Sequence, residues 1–89
     1  MDDHFNVTEY LGELQTEQIL RLGSALGLCY PHLKKMPSLL GDMVEAWLRK
    51  DDHVLTRSGP PTWKSLVKFL EVTNNTGIAK NIRKDKKVS

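Results

Sequence analysis

The side chains here best suited to chemistry are His4, His32, His53 and Cys29, with Ser24, Ser38 and Ser58 as hydroxyls and Asp51-Asp52 as paired carboxylates. Structural zinc takes four Cys or His ligands in closely spaced pairs. The three histidines lie far apart, and none pairs with Cys29 in sequence. No metal site and no cofactor are therefore expected. Cys29 stands between Leu28 and Tyr30, a setting for a small core residue rather than an activated thiolate. No serine lies in a nucleophile elbow, and no glycine-rich run could cradle a phosphate. A calcium loop needs several alternating oxygen ligands, and Asp51-Asp52 supplies two. Catalysis is not expected, and function should reside on the surface.

The elements that carry that surface read as helices. Leu40, Met43, Val44, Trp47 and Leu48 recur with helical spacing, as do Trp63, Leu66, Val67 and Leu70. Each stripe carries one of the two tryptophans, so a helical core built around Trp47 and Trp63 is expected. A first helix carries Val7, Tyr10, Leu11 and Leu14, with Asn6 as its cap and Glu9 reaching back. A second carries Ile19, Leu22, Ala25 and Leu26, with Thr16 as N-cap candidate and Gly27 as stop. Pro31 and Pro37 confine a short third helix. Ser38 caps the fourth, which runs to about Lys50. Residues 51–59 form the longest connection, and Pro60-Pro61 opens the fifth helix. Thr73-Asn74-Asn75 closes it and caps a sixth, which buries Ile78, Ala79 and Ile82. No run alternates with period two over enough residues to predict a strand.

With 89 residues the chain is long enough for one domain, of which about 60–65% of the unfolded surface would be buried. No apolar run could span a bilayer. The opening Met1-Asp2-Asp3-His4 has no apolar segment behind it, so no secretory signal is expected. A lone cysteine cannot form an internal disulfide. These features predict a reducing, cytoplasmic setting, in which the sequons Asn6-Val7-Thr8 and Asn74-Asn75-Thr76 are chance matches. The net charge is only +2, but it is unevenly distributed. Asp2, Asp3, Glu9, Glu13 and Glu17 lie in the first twenty residues without a base. Lys80, Arg83, Lys84, Lys86 and Lys87 crowd the last ten against Asp85.

Ala25-Leu26-Gly27-Leu28, Leu39-Leu40 through Met43 to Trp47, Pro61-Thr62-Trp63 with Leu66 and Leu70, and Gly77-Ile78-Ala79 with Ile82 together resemble the death domain of the death-fold superfamily. The resemblance covers nearly the whole chain. It departs at Gln18-Ile19-Leu20, where many members carry an aromatic; caspase-recruitment and death-effector domains resemble it less. The resemblance implies an all-α, six-helix antiparallel bundle with Greek-key topology over residues 5–85, with 1–4 and 86–89 as flexible ends. Leu11, Leu26, Met43, Trp47, Trp63, Leu66, Leu70, Ile78 and Ile82 would form its core. It further implies a non-enzymatic adaptor in apoptotic or innate-immune signalling, whose partners are other death domains or further copies of itself.

Four surface patches are candidates for that association. Lys80, Arg83, Lys84 and Lys87 recur at helical spacing. They are either a solvated helix end, where lysines favour the C-terminal dipole, or a docking face for acid. Glu9, Glu13 and Glu17 repel one another by about 0.2–0.5 kcal/mol per i,i+4 pair, and a basic neighbour in the same or another molecule would offset this. Arg49, Lys50, Asp51, Asp52 and His53, with Arg57, form a mixed-charge loop. The resemblance makes it a contact region for a partner's Asn74-Asn75. Lys34 and Lys35 form the last patch. The alternative reading is a small helical nucleic-acid-binding domain using the basic end. Binding to nucleic acid is not expected, because no helix offers Arg, Asn or Gln as a recognition set.

Overall fold

Apolar residues at helical spacing do form helices. In a computed structural model, which describes residues 4–88, these are α1 (His4–Leu11), α2 (Thr16–Leu26), α3 (Tyr30–Lys34), α4 (Leu39–Leu48), α5 (Val54–Arg57), α6 (Trp63–Val72) and α7 (Thr76–Lys86). There is no strand among the described residues. Among the described residues seven helices stand where six were expected, because the long connection contains a helical turn of its own. Val54 is fully buried, and its burial pins that turn against α2. The Arg57 N–H donates to His53 O at 2.9 Å, and the Ser58 N–H to Val54 O at 2.8 Å.

Several helix starts differ from expectation by a residue or two. Asn6 lies inside α1 rather than capping it. Gln15, not Thr16, caps α2: the Gln18 side chain reaches back to accept from the Gln15 N–H at 2.8 Å. Pro60-Pro61 precede α6 instead of opening it. Thr62 takes the cap because its backbone is extended and its Oγ1 accepts from the Ser65 N–H at 3.0 Å, which satisfies an otherwise orphaned donor. Ser38 does stand at the start of α4, where the Asp42 carboxylate accepts from its N–H at 3.0 Å.

Gly27 ends α2 in the left-handed region at φ 116°. The Leu28 N–H donates to Gly23 O at 3.0 Å, the reach of a Schellman cap. A Cβ at Gly27 would stand 2.6 Å from the His53 carbonyl oxygen. Glycine is therefore required twice over, by backbone conformation and by the close approach of the chain that enters α5.

Helix α1 packs against α4 and α7, α2 against α3, α4, α5 and α6, and α6 against α7. Their apolar faces meet in one cluster that includes Leu11, Leu22, Leu26, Leu33, Met43, Trp47, Leu66, Leu70 and Ile82. The radius of gyration is 11.6 Å, near the roughly 12 Å of a single packed domain of this length. Trp47 is 0% exposed, and its indole N–H finds no hydrogen-bond acceptor among the described residues. Trp63 departs from expectation: it lies at the edge of the core, half-buried. As the first residue of α6 it is flanked by α1 and α7 rather than enclosed. Beyond the last turn of α7, Val88 packs on the cluster.

Emptying the Trp47 site should cost about 3–5 kcal/mol, the usual range for a buried aromatic. Urea unfolding of Trp47→Ala is expected to show a midpoint shifted by that amount, or no folded baseline at all. A midpoint within error of the parent would mean that Trp47 is not the centre of the core.

Candidate functional site

The mixed-charge loop is held by the molecule's own backbone and side chains. It leaves α4 through Lys50 and Asp52, both with positive φ (64° and 53°). The His53 N–H donates to Gly27 O at 3.0 Å, and the Ser58 hydroxyl donates to Leu26 O at 2.7 Å. Asp52 accepts from the Cys29 N–H at 3.0 Å and pairs with His32 Nδ1 at 2.8 Å. These two partners, the Cys29 N–H foremost, hold the Asp52 carboxyl below its ordinary value. The loop is therefore fastened to the α2–α3 connection.

Arg49 is also engaged within the chain, to Glu45 at 2.9 Å and to Asp51 at 2.7 Å. The hydrogen bond to Asp51 raises the guanidinium pKa above its usual value. Of the loop's expected contact residues, Lys50 and Arg57 are exposed and have no ion-pair partner among the described residues. Lys35, assigned to a separate patch by sequence, shares a recess with Arg49, Glu45 and Asp42. Tertiary structure merges these two patches. Lys34 instead lies over the Tyr30 ring, 5.6 Å from its centroid.

Asn74 is exposed at φ 65°. Asn75 is not presented to a partner: it is 7% exposed, and its side-chain amide donates to Thr73 Oγ1 at 2.8 Å. Gln18 approaches its carbonyl at 3.4 Å. Asn75 thus braces the turn between α6 and α7 against α2.

On α7, Lys80, Arg83 and Lys84 are exposed. Arg83 grips Glu71 through two bonds of 2.7 and 2.8 Å, the forked geometry that favours arginine. Lys87 leaves the stripe, because it ends the helix at φ 53°. Glu13 and Lys80 face one recess. Glu9 and Glu13 are exposed and have no ion-pair partner among the described residues. Glu17 and Arg21 border a different recess.

Sequence reasoning missed the joint between α1, α6 and α7. Tyr10 meets Trp63 edge-on, with centroids 5.6 Å apart and planes at 80°. Lys86 Nζ lies over the Trp63 ring, 5.0 Å from its centroid. The Tyr10 hydroxyl donates to Asp85 Oδ2 at 2.7 Å, and that bond leads the causes that push the Tyr10 phenol up to about 12. The readable signal was Asp85, the one carboxylate in a lysine-rich helix end. Lys64 and Lys68 on the outer face of α6 were also missed. Their signal was i,i+4 spacing opposite Leu66 and Leu70.

No three or more His, Cys, Asp or Glu residues gather as a metal-ligand group among the described residues, and none of their helices is long and apolar enough to cross a membrane. Comparison with protein-family models, with curated proteins and with solved structures gives no match.

Two measurements test this surface. A carboxyl with a lowered folded pKa adds stability in full above its unfolded value, near 4. That stability fades as pH falls through the folded value. At neutral pH, Asp52→Asn should therefore lose at most about 1 kcal/mol, because the residue is exposed and solvent screens the pair. Urea melts should show parent and variant converging as pH drops below about 4. A difference that does not change with pH would remove the ionic contribution of Asp52. Separately, phenolate absorbance should show Tyr10 titrating near 12, and Asp85→Asn should bring it back toward 10. An unchanged titration in Asp85→Asn would break the Tyr10–Asp85 link.

Proposed function

We propose that this chain is a death-domain-type adaptor that works by association with like domains rather than by catalysis. The observation that carries the reading is where the resembling residues lie. Of these, Leu26, Met43, Trp47, Leu66, Leu70, Ile78, Ala79 and Ile82 are each at most 8% exposed and belong to one core, and Leu39, Leu40 and Trp63 pack against it partly buried. The likeness therefore concerns the fold-forming residues, and the charged residues are left outside. The neighbouring of the first and last helices, α1 and α7, also supports the six-helix Greek-key plan that the resemblance implies. In that plan α5 is a turn within the connection between the main helices.

An adaptor of this kind needs unlike surfaces that can meet head to tail. Exposed acids on α1 and the turn after it, exposed bases on α6 and α7, and the braced loop with Lys50 and Arg57 provide them. Charge complementarity of this sort governs encounter and register more than raw affinity. Contacts between unlike patches propagate into rings or filaments.

The expected result is concentration-dependent association, with itself or with a panel of purified death domains, seen by sedimentation and light scattering. It should weaken as salt rises from about 0.05 to 0.5 M, because exposed charges are screened over about 10 Å at 0.1 M. A chain that stays monomeric at every salt concentration and retains no death domain would overturn the proposal. Sequence-selective, salt-resistant binding to duplex DNA would replace it with the nucleic-acid reading, since non-specific contacts alone dissociate in salt.

A further inference from the structure

A groove of about 510 Å³ crosses the outer side of α6. Arg57, Lys64, Lys68 and Arg83 line it, with Phe69 and Pro60 as apolar surface. Glu71 is the one carboxylate in it, and it is taken up by Arg83. Arg57, Lys64 and Lys68 have no ion-pair partner among the described residues. The groove therefore combines unpaired cations with the apolar surface of Phe69, Pro60 and Val67, and Ser58, Thr62 and Ser65 complete its lining. Its complement is an acidic surface with a large apolar side chain.

Helix α1 carries such a surface. Val7 and Leu11 turn inward. Phe5 and Glu9, four residues apart, share the opposite face. Phe5 is 71% exposed, a large apolar side chain left in water one turn from an unpaired carboxylate. Glu13 follows in the next turn of chain. Phe5 to Glu9 and Lys64 to Lys68 are each four residues apart, about 6 Å along a helix axis. The two surfaces have no residue in common, so use of one consumes no residue of the other.

Resting on the association reading above, we propose that the α6 groove receives α1 of a second copy of this chain. Phe5 enters against Phe69 and Pro60, while Glu9 and Glu13 meet Arg57, Lys64 and Lys68. The contact is heterologous and therefore extends into a chain of molecules. One helix in one groove belongs at the small end of protein interfaces, below about 1,200 Å², so the contact is weak and reversible.

The test uses two surface variants, each checked for parent-like helical circular dichroism. Lys64→Glu with Lys68→Glu spoils the groove and leaves the α1 face intact. Phe5→Ala with Glu9→Lys spoils the α1 face and leaves the groove intact. Sedimentation should show that the parent self-associates. Each variant alone should associate at least about tenfold more weakly, as when an anchor or its facing charges are lost. Mixed one to one, they should recover a dimer but nothing longer, because only one groove and one face remain. Titrating the isotope-labelled groove variant with the unlabelled α1 variant should move amide signals along Phe5–Glu13.

Either variant assembling like the parent, a mixture no better than its components, or amide shifts centred away from Phe5–Glu13 would overturn the docking pair. The two proposals fail separately. A parent that self-associates equally well in both variants, or that is monomeric alone yet binds another death domain, keeps the association reading and removes this occupant. A parent with no association of any kind removes both.

Discussion

Burial of the Trp47 indole is the interaction on which the rest of the molecule depends. Trp47 is among the largest side chains taken fully out of water, and it sits on α4, which packs against α1, α2 and α3. In a chain of 89 residues, surface is large relative to volume. One aromatic of this size contributes a substantial share of the margin between folded and unfolded states. Its indole N–H, left without an acceptor among the described residues, shows that apolar packing governs this site. Desolvating that donor works against stability, and the surrounding Leu, Val and Met contacts outweigh it.

A second constraint acts through the backbone. The left-handed Gly27 lets the end of α2 touch the chain entering α5. That approach allows the His53 N–H to reach Gly27 O, and the Ser58 hydroxyl reaches neighbouring Leu26 O. Asp52 adds its bonds to Cys29 and His32 from the other side. A connection that would otherwise wander is bound at several points. Its charged residues are consequently divided: Arg49, Asp51 and Asp52 serve the fold, while Lys50 and Arg57 are presented outward. A loop fastened in this way has little further freedom to lose, which lowers the ordering cost of any contact made there.

The segregation of charge then acquires a geometry. Acids at the start of the chain and bases near its end are not neutralised by ion pairs between Glu9 or Glu13 and α7 among the described residues. Instead Asp85 takes the Tyr10 hydroxyl, Lys86 lies over Trp63, and Arg83 grips Glu71. The seam between first and last helices is closed by aromatic and hydroxyl groups. Glu9 on α1, Glu13 in the turn after it and the α6 lysines remain exposed on separate surfaces.

Periodicity in the sequence was enough to determine an all-helical chain and most of its core. Leu11, Leu26, Met43, Trp47, Leu66, Leu70, Ile78 and Ile82 are all buried, because a 3.6-residue repeat of apolar side chains has one stable way to leave water. Gly27 as a stop and Thr73-Asn74-Asn75 as a break were legible for similarly local reasons of backbone conformation. What only the tertiary structure decided depends on neighbours distant in sequence. Val54 forms a helical turn because α2 covers it. Trp63 stops at the edge of the core because Tyr10 and Lys86 flank it. Asn75 turns inward to Thr73 and Gln18 instead of meeting a partner. Whether a charged residue is free or engaged was equally out of reach: Arg49 and Lys50 are adjacent in sequence, yet one is paired and the other is not. Local spacing fixes which face a side chain occupies, but its partners on that face are brought there by the packing of other helices.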